Sequence, residues 1–369
     1  MRVAVLSPTG QPLMPTKPSR ARRWLKEGKA KVVKNDLKIF TVQLVEDSSE
    51  TNTQQCVIGV DPGKLYTGIA VQTSLDTLWL AHIQLPFKSI KERLEQRRMM
   101  RRCRRGRRIN RKIPYAQRAH RQKRFDNRRT KKLPPSIQAS RQLEIGVVEE
   151  LLKLYPLTCL VWEKVVARGS KGFSPVMQAQ YWAIKELEDY LPVVQQEGWE
   201  TSNLRQHLGL PKQKHSKGDT IPQTHAVDGV ALAASRFIRY KQLKGKMGWW
   251  EGSIQITPSP FAVIRRPPVS RRQLHLMVPS KGGIRRKYGG TVTRHGFSKG
   301  DYVRAQQAGR IYYGWVSGDT ERQVSVSDVN WKRLGQFSAK KVQLWKRCTG
   351  LVVVPSIGLS NLATLSGKI

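Results

Sequence analysis

Three acidic residues carry the chemistry that this chain's spacing suggests. Asp61 ends the apolar segment Val57-Ile58-Gly59-Val60 just before Pro62-Gly63. Glu163 ends Cys159-Leu160-Val161-Trp162, and Asp228 opens the helix-compatible run Val227-Asp228-Gly229-Val230-Ala231-Leu232-Ala233. Carboxylates on two strand ends and in the first turn of a helix suit a divalent-metal nuclease. Two-metal hydrolysis of a phosphodiester needs carboxylates that bridge and flank Mg²⁺ ions about 3.5–4 Å apart. Asp61 is expected to bridge the ions from a central strand, and Glu163 to share one from a parallel neighbour. Asp228 adds a third ligand where the helix dipole favours negative charge. His225 lies three residues earlier, on the same helical face, and can ligate a metal or move a proton near the attacking water. Singly, each has a plainer explanation. Asp61 can be a turn residue before Pro-Gly, Glu163 a surface carboxylate, Asp228 a helix stabiliser and His225 a polar first-turn residue. Their order on the expected element types is what makes metal catalysis the better reading.

The elements that must position them follow from hydrophobic periodicity. Val57–Val60 reads as a buried strand, Thr67–Val71 as its return and Thr77–Leu85 as a third strand, giving an antiparallel meander with Val57, Gly59 and Asp61 on one face. Leu143, Val147, Leu151 and Leu154 lie at helical spacing and predict an amphipathic helix over 138–153. Thr158–Trp162 predicts a fourth strand, Pro175–Leu191 a helix and Gly198–Leu204 a fifth strand. Ala167–Ser174 and Leu210–Gln223 read as loops, and Thr224 as the cap of a helix running to about Lys241. The order βββ, basic insert, αβ, α, β, α is that of an RNase H-like α/β fold. Ahead of it, Val3–Leu6 predicts a strand, residues 10–15 a turn, Ser19 the cap of a short helix ended by Gly28, and Lys38–Val45 a second strand. After Gly245, Gly, Pro, aromatic and β-branched residues dominate. Residues 299–305, 312–317, 324–329 and 351–354 read as strands of a small barrel.

Charge identifies the partner. The chain has 67 Lys and Arg against 26 Asp and Glu, a formal charge of +41. Such an excess repels itself unless a polyanion neutralises it, so nucleic acid held through phosphates is expected. The four cysteines form no Cys-x-x-Cys pair, which disfavours a structural zinc site. No apolar run has transmembrane length, and the N-terminus is too short in apolar residues for a signal peptide. The expected location is the cytoplasm of a prokaryotic cell, without a membrane partner.

The densest charge lies over 90–132. Arg97, Arg98, Arg101, Arg102, Arg104, Arg105, Arg107, Arg108 and Arg111 are followed by Arg118, Arg121 and Arg124. The segment is helix-compatible at its start but lacks an apolar face to fold on. An exposed helix or arm ordered by its ligand is expected. Arginine suits phosphate because its fork binds bidentately. The plainer alternative is a solvated face or a nonspecific arm.

Asp61-Pro62-Gly63-x-x-x-Thr67-Gly68-Ile69-Ala70 resembles the first motif of RuvC-type nucleases, and His225-Ala226-Val227-Asp228 the third. Glu163 sits where the second belongs. The arginine run resembles the bridge helix of RNA-guided nucleases, and Pro12-Leu13-Met14-Pro15 matches the motif of the PLMP domain. Together these features resemble the transposon-encoded IscB/IsrB family. Only 64 residues lie between Glu163 and Asp228, too few for an HNH domain besides the expected elements. The segment 172–177 also resembles the loop of the HNH-less IsrB branch.

The resemblance implies a RuvC-like nickase that cuts the displaced DNA strand under the direction of a guide (omega) RNA. It implies a two-metal Mg²⁺ site, with Mn²⁺ as a substitute, at Asp61, Glu163 and Asp228. It further implies a duplex DNA target with a short flanking motif and a single protein copy per ribonucleoprotein. The implied organisation is a PLMP unit (1–54), RuvC-like parts (55–88, 136–205, 206–245), a basic bridge segment (89–135) and a C-terminal β-rich region for RNA and flanking-motif contacts (246–369). In such systems base pairing supplies sequence while the protein reads backbone shape and the flanking motif. Two alternatives stay open on the residues alone. One is a guide-free RuvC-like junction resolvase, and the other a non-catalytic basic RNA-binding protein.

Overall fold

The structure, a computed structural model, describes residues 1–47, 53–107, 112–117, 133–166, 174–210, 212, 222–242, 248–267, 292–348 and 350–355. It is a mixed α/β chain with several sheets. The chain divides into two compact units: Met1–Phe87 with Leu133–Arg265 and Val353–Ile369, and Lys88–Lys132 with Arg266–Val352.

The first unit opens with a four-stranded sheet made of β1 (Val3–Leu6), β2 (Pro12–Thr16), β3 (Ala30–Val33) and β4 (Thr41–Leu44). Its order is β2-β1-β4-β3, with β1 and β4 parallel. Helix α1 (Pro18–Lys26) covers it, and Val3, Val5, Ala21, Ala30 and Val42 form its core. Most of the expected turn is β2, whose two prolines are tolerated because it is an edge strand. The helix starts at Pro18 after Lys17, without a side-chain cap from Ser19, because proline's fixed φ suits the first helical position. The strand expected from Lys38 begins at Thr41. Lys38 is left-handed at φ 57°, and Asn35 holds this loop by accepting from the Ile39 N–H at 3.0 Å. Strand β3 was not anticipated. Gly28, at φ 71°, does end the helix region.

The larger sheet contains the expected meander, β5 (Val57–Pro62), β6 (Tyr66–Gln72) and β7 (Thr77–Gln84). After the basic helix α2 (Phe87–Arg107) come α3 (Pro135–Leu152), β8 (Cys159–Lys164), α4 (Pro175–Glu188) and β9 (Val193–Glu197). Strands β8 and β9 extend the sheet in parallel from β5. The stretch expected as a fifth strand is instead helix α5 (Gly198–His207), and the strand lies just before it. Its start is fixed by a capping box between Glu197 and Glu200, a local signal that outweighs the apolar content of 198–204. A four-residue turn, α6 (Pro222–His225), precedes α7 (Val227–Ala234). So the last helix begins three residues after Thr224 and ends well short of Lys241. The short hairpin β10 (Arg239–Lys241) and β11 (Trp249–Glu251) follows.

Strand β12 (Phe261–Arg265) then pairs in parallel with β7. The last strand, β18 (Val352–Pro355), adds beside it, and the seven-stranded order is β18-β12-β7-β6-β5-β8-β9. Residues 351–354 were expected to belong to the C-terminal barrel and do not. The central strands are apolar on both faces because both are covered. Helix α7 lies on the face of Gly59, Ala70 and Leu80, with Val57, Cys159, Val161, Leu232 and Ala233 in contact. Helix α3 lies on the other face, which carries Thr67 and Trp162. The approach of α7 is backbone to backbone. A Cβ at Gly59 would lie 2.0 Å from the Gly229 carbonyl oxygen, so only glycine fits.

In the second unit, β13 (Tyr302–Gln307), β14 (Arg310–Asp319), β15 (Gln323–Ser327), β16 (Arg333–Ser338) and β17 (Val342–Lys346) form an antiparallel sheet ordered β16-β15-β14-β13-β17. Its inner face packs Val303, Val316, Val324, Val326, Phe337 and Val342. Buried Asp301 holds its end, accepting from the Ser298 and Cys348 N–H groups, each at 2.8 Å, and from Arg347 at 3.0 Å. Among the described residues, no helix is long and apolar enough to cross a membrane.

Candidate active site

The sheet register aligns the first two acids. Val60 pairs with Trp162 across the parallel β5–β8 ladder, so the next residues, Asp61 and Glu163, lie side by side. Alternation then puts both on the face covered by α7, together with Gly68 and its cross-strand partner His82. Asp228 enters from the first turn of α7 and is buried. His225 enters from the turn before it, with Nε2 3.7 Å from Asp61 Oδ2. One end of one sheet face thus collects Asp61, Glu163, Asp228 and His225.

This crowding has an electrostatic consequence. Burial pushes the Asp61 carboxyl up to about 8, reinforced by the Glu163 and Asp228 charges and by a side-chain hydrogen bond with Asp228 that needs a proton. Glu163 is also raised, by burial first and then by Asp228. Carboxylates this close in a desolvated place cannot all ionise cheaply unless a cation joins them. Two protein cations serve Asp228. Arg205 Nη1 donates to its Oδ1 at 2.6 Å, and Lys212 Nζ donates to its Oδ2. His225 is held neutral, lowered to about 4 by burial first and then by Lys212. Its ring meets His82 edge to face, with centroids 5.0 Å apart. His82 is lowered to about 3, by burial first and then by His225. Tyr66 packs against His82 at 4.8 Å.

A buried pair on the far face braces the turn after Asp61. Arg141 of α3 lies 2.7 Å from Glu144 and donates to the Gly63 carbonyl at 2.8 Å. Glu144 accepts from the Thr67 hydroxyl. Arg141 also sits over the Trp162 ring at 5.6 Å, one residue before Glu163. Both strand ends bearing the acids are therefore tied to one helix.

Among the described residues, no group of three His, Cys, Asp or Glu side chains is arranged to hold a metal ion. The chemistry of the donors nonetheless fits a hard divalent cation. They are oxygen ligands, and a cation among them would offset both the burial and the neighbouring charges that hold Asp61 protonated. Both Asp228 oxygens are engaged, one by Arg205 and one by Lys212, so an ion there must share those oxygens with the two cations or displace one of them.

The expected nucleic-acid ligands are described less fully. Arg98 is exposed on α2. The backbone of α2 also carries Arg97, Arg101, Arg102, Arg104, Arg105 and Arg107, whose side chains lie outside the described residues. Arg108, Arg111, Arg118, Arg121 and Arg124 lie outside them altogether, as do most of the loops 167–174 and 210–223. The sequence reading missed Arg205, Lys212 and His82. Arg205 was hidden by the misread of α5 and Lys212 by its lysine-rich surroundings. For His82, the signal was its period-two position on a strand beside the Asp61 strand pair.

A family model described as "RRXRR protein" matches residues 3–171. No curated protein sequence matches the chain. Among solved structures, the chain is similar to Thermus thermophilus RuvC in complex with a Holliday junction substrate, at 13% identity and a TM-score of 0.26, covering 49% of this chain and 90% of that one. It is similar to a second Thermus thermophilus RuvC structure at 12% identity and a TM-score of 0.25, covering 48% and 91%.

Proposed function

We propose that this protein is an RNA-guided DNA endonuclease that nicks the non-target strand by metal-dependent phosphodiester hydrolysis. The observation that carries the reading is the convergence of Asp61, Glu163 and Asp228 at one end of one sheet face, where burial first and then the neighbouring carboxylates raise the Asp61 carboxyl to about 8. The RRXRR match supports it by spanning the Asp61 motif, the arginine run and Glu163. In this reading residues 1–54 are the PLMP unit, and 55–88, 136–205 and 206–245 the RuvC-like parts. Residues 89–135 bridge to the RNA, and the β-rich region after 246 supports RNA and flanking-motif contacts. A single protein copy works in a ribonucleoprotein.

Asp61, Glu163 and Asp228 would hold Mg²⁺, with Mn²⁺ as a substitute. When bound, the metal polarises the phosphate and lowers the pKa of the attacking water. The chain's own groups do the rest. His225 is neutral at physiological pH and adjoins Asp61, so it can orient the attacking water by accepting a hydrogen bond from it. Arg205 and Lys212 bring positive charge beside Asp228, where negative charge builds on the scissile phosphate. Helix α3, through Arg141 and Glu144, fixes the turn behind Asp61. The arginines of α2 grip phosphates, and pairing to the guide supplies sequence.

One nuclease centre predicts a nick. The guide-paired strand lies in a stiff heteroduplex, whereas the displaced strand can bend its phosphate toward the three acids. The test uses supercoiled plasmid and a duplex labelled separately on each strand, with co-purified RNA and Mg²⁺. Relaxed circles and a product from the non-target strand alone are expected. Linear plasmid as the main early product, or cleavage of the paired strand, would overturn the proposal. RNA-independent cutting of four-way junctions would favour a guide-free resolvase.

A further inference from the structure

The five-stranded sheet turns aromatic rings outward where a folded sheet ordinarily shows polar side chains. On β14, Tyr313 is 45% exposed and Ile311 47%; on β17, Trp345 is 54% exposed. The register gathers them. Tyr302 pairs with Trp315 and Arg304 with Tyr313 across β13–β14. On the other side of β13, Tyr302 pairs with Lys346, and the ladder is irregular between Tyr302 and Val303. Trp345 lies at this irregularity and meets Tyr313 edge to face, with centroids 5.6 Å apart and planes at 82°. Tyr302 lies beside Tyr313 at 6.4 Å and against Trp315 at 4.8 Å. Trp315 is itself buried, so the exposed rings stand on a packed aromatic base.

Two cations adjoin these rings, Arg304 and Lys346. Arg304, on the same face of β13 as Tyr302, is held by a hydrogen bond to Gln343 at 3.3 Å. Between residues 302 and 347 the sequence has nine Lys and Arg against three Asp and Glu. Exposed rings alone would suit many apolar partners. Rings fixed by one another, with Arg304 opposite Tyr313 and Lys346 opposite Tyr302, suit a ligand with flat faces and a negative backbone.

We propose that Tyr313 and Trp345, backed by Tyr302 and Trp315 and flanked by Arg304, form a stacking platform for unpaired nucleotides of an RNA strand. Bases stack on such rings without sequence preference, because every base has a π-face, and adjacent cations follow the phosphates. A duplex, whose bases are already stacked, offers nothing to the rings. RNA is the occupant because the proposed function, on which this assignment rests, gives the protein a structured guide RNA. Loops and bulges of such an RNA present splayed bases.

The test uses the full chain with a fluorescein-labelled 12-nucleotide single-stranded RNA, the same sequence as DNA, and the RNA as a duplex. Binding is measured over a salt series extended to high salt, where phosphate contacts weaken. A 4-thiouridine version is photocrosslinked and its attachment mapped by peptide mass. Tyr313→Ala and Trp345→Ala should each weaken single-stranded RNA binding by about tenfold at high salt. They should leave duplex affinity and the salt slope unchanged, and crosslinks should fall in the peptides of β14 and β17. Tyr313→Phe and Trp345→Phe keep a ring and should bind as wild type, which separates stacking from a folding defect. Unchanged single-strand affinity in the double alanine variant, equal loss on the duplex, or crosslinks confined to other peptides would overturn the platform. A loss seen only with the DNA strand would overturn the RNA assignment. Guided nicking that persists while the platform fails rejects this inference alone. Loss of guided nicking in wild-type protein with a working platform rejects the proposed function instead.

Discussion

The acid-bearing end of the seven-stranded sheet and the aromatic face of the five-stranded sheet use strand alternation for opposite purposes. On β5 and β8, alternate residues turn inward under α7, and the last of each row is a carboxylate, Asp61 or Glu163. Charge is buried there against its preference, and backbone contact between Gly59 and Gly229 fixes the helix above it. On β13, β14 and β17, alternate residues turn outward, and rings are exposed against theirs. The first arrangement packs backbone against backbone and leaves its groups little room to move, as the proposed bond cleavage would require. The second offers exposed ring faces, which in the proposed platform would tolerate many bases and orientations. Groups placed against their solvation preference mark both regions, carboxylates turned inward in one and rings turned outward in the other.

That contrast breaks most sharply if the acids prove dispensable. Asp61→Ala and Glu163→Ala should each lower Mg²⁺-dependent cleavage by about a thousandfold or more, since the bound metal supplies several kcal/mol of transition-state stabilisation. Target binding should persist, because the proposed function draws it from pairing and phosphate contacts and not from these acids. Cleavage near the wild-type rate by either variant removes the assignment. Gly59→Ala tests the rigidity of the same region. Its Cβ would meet the Gly229 carbonyl at 2.0 Å, so α7 must shift, and a loss of about 4 kcal/mol or more in urea unfolding is expected. Arg141→Met should cost about 3–5 kcal/mol by leaving Glu144 buried without its partner. A second substitution, Glu144→Leu, should recover much of that loss.

What the sequence made legible follows the same division. The strands bearing Asp61 and Glu163 were readable because apolar runs of this length with β-branched residues admit few alternatives, and turn residues bounded them. The meander and the parallel neighbour followed from their order. Helix α5 was misread because Trp199 and Leu204 suggest a strand, whereas the capping box and the contact of Leu204 with Ala234 and Ile238 decide for a helix. The placement of residues 352–355 beside β12 is a long-range pairing that leaves no local trace. Arg205 and Lys212 could not be found as partners of Asp228, since nothing in the spacing brings residues 205, 212 and 228 together.

The basic helix sharpens the comparison from the binding side. Replacing Arg101, Arg102, Arg104 and Arg105 with Ala should weaken RNA binding and make the slope of log affinity against log salt about 3 shallower, since each lost phosphate contact retains its counterion. The platform substitutions should leave that slope alone. An unchanged slope in the arginine variant would show that this stretch of α2 is a solvated face.

The smallest expected effect is on stability, and it isolates the buried charge from catalysis. Asp61 titrates at about 8 in the folded chain, against an ordinary value near 3.8. Between those limits the folded state holds a proton that the unfolded state has released. Rising pH across this window therefore lowers stability, and the loss is complete only above about pH 8. Asp61→Asn removes the titrating group and keeps its size. In EDTA the variant should unfold like wild type near pH 4 and be more stable at pH 8.5, by on the order of 1–3 kcal/mol after allowing for relaxation around the charge. Glu163, Glu144 and His225 titrate in both proteins, so the comparison largely cancels them. Mg²⁺ added at pH 8.5 should stabilise wild type more than the variant, because the ion takes over the compensation that the proton provides. Urea unfolding at both pH values measures this. A difference independent of pH, or a wild type more stable than Asp61→Asn at pH 8.5 in EDTA, would mean that Arg205 and Lys212 already neutralise the cluster. A metal would then have to displace those cations before it could bind.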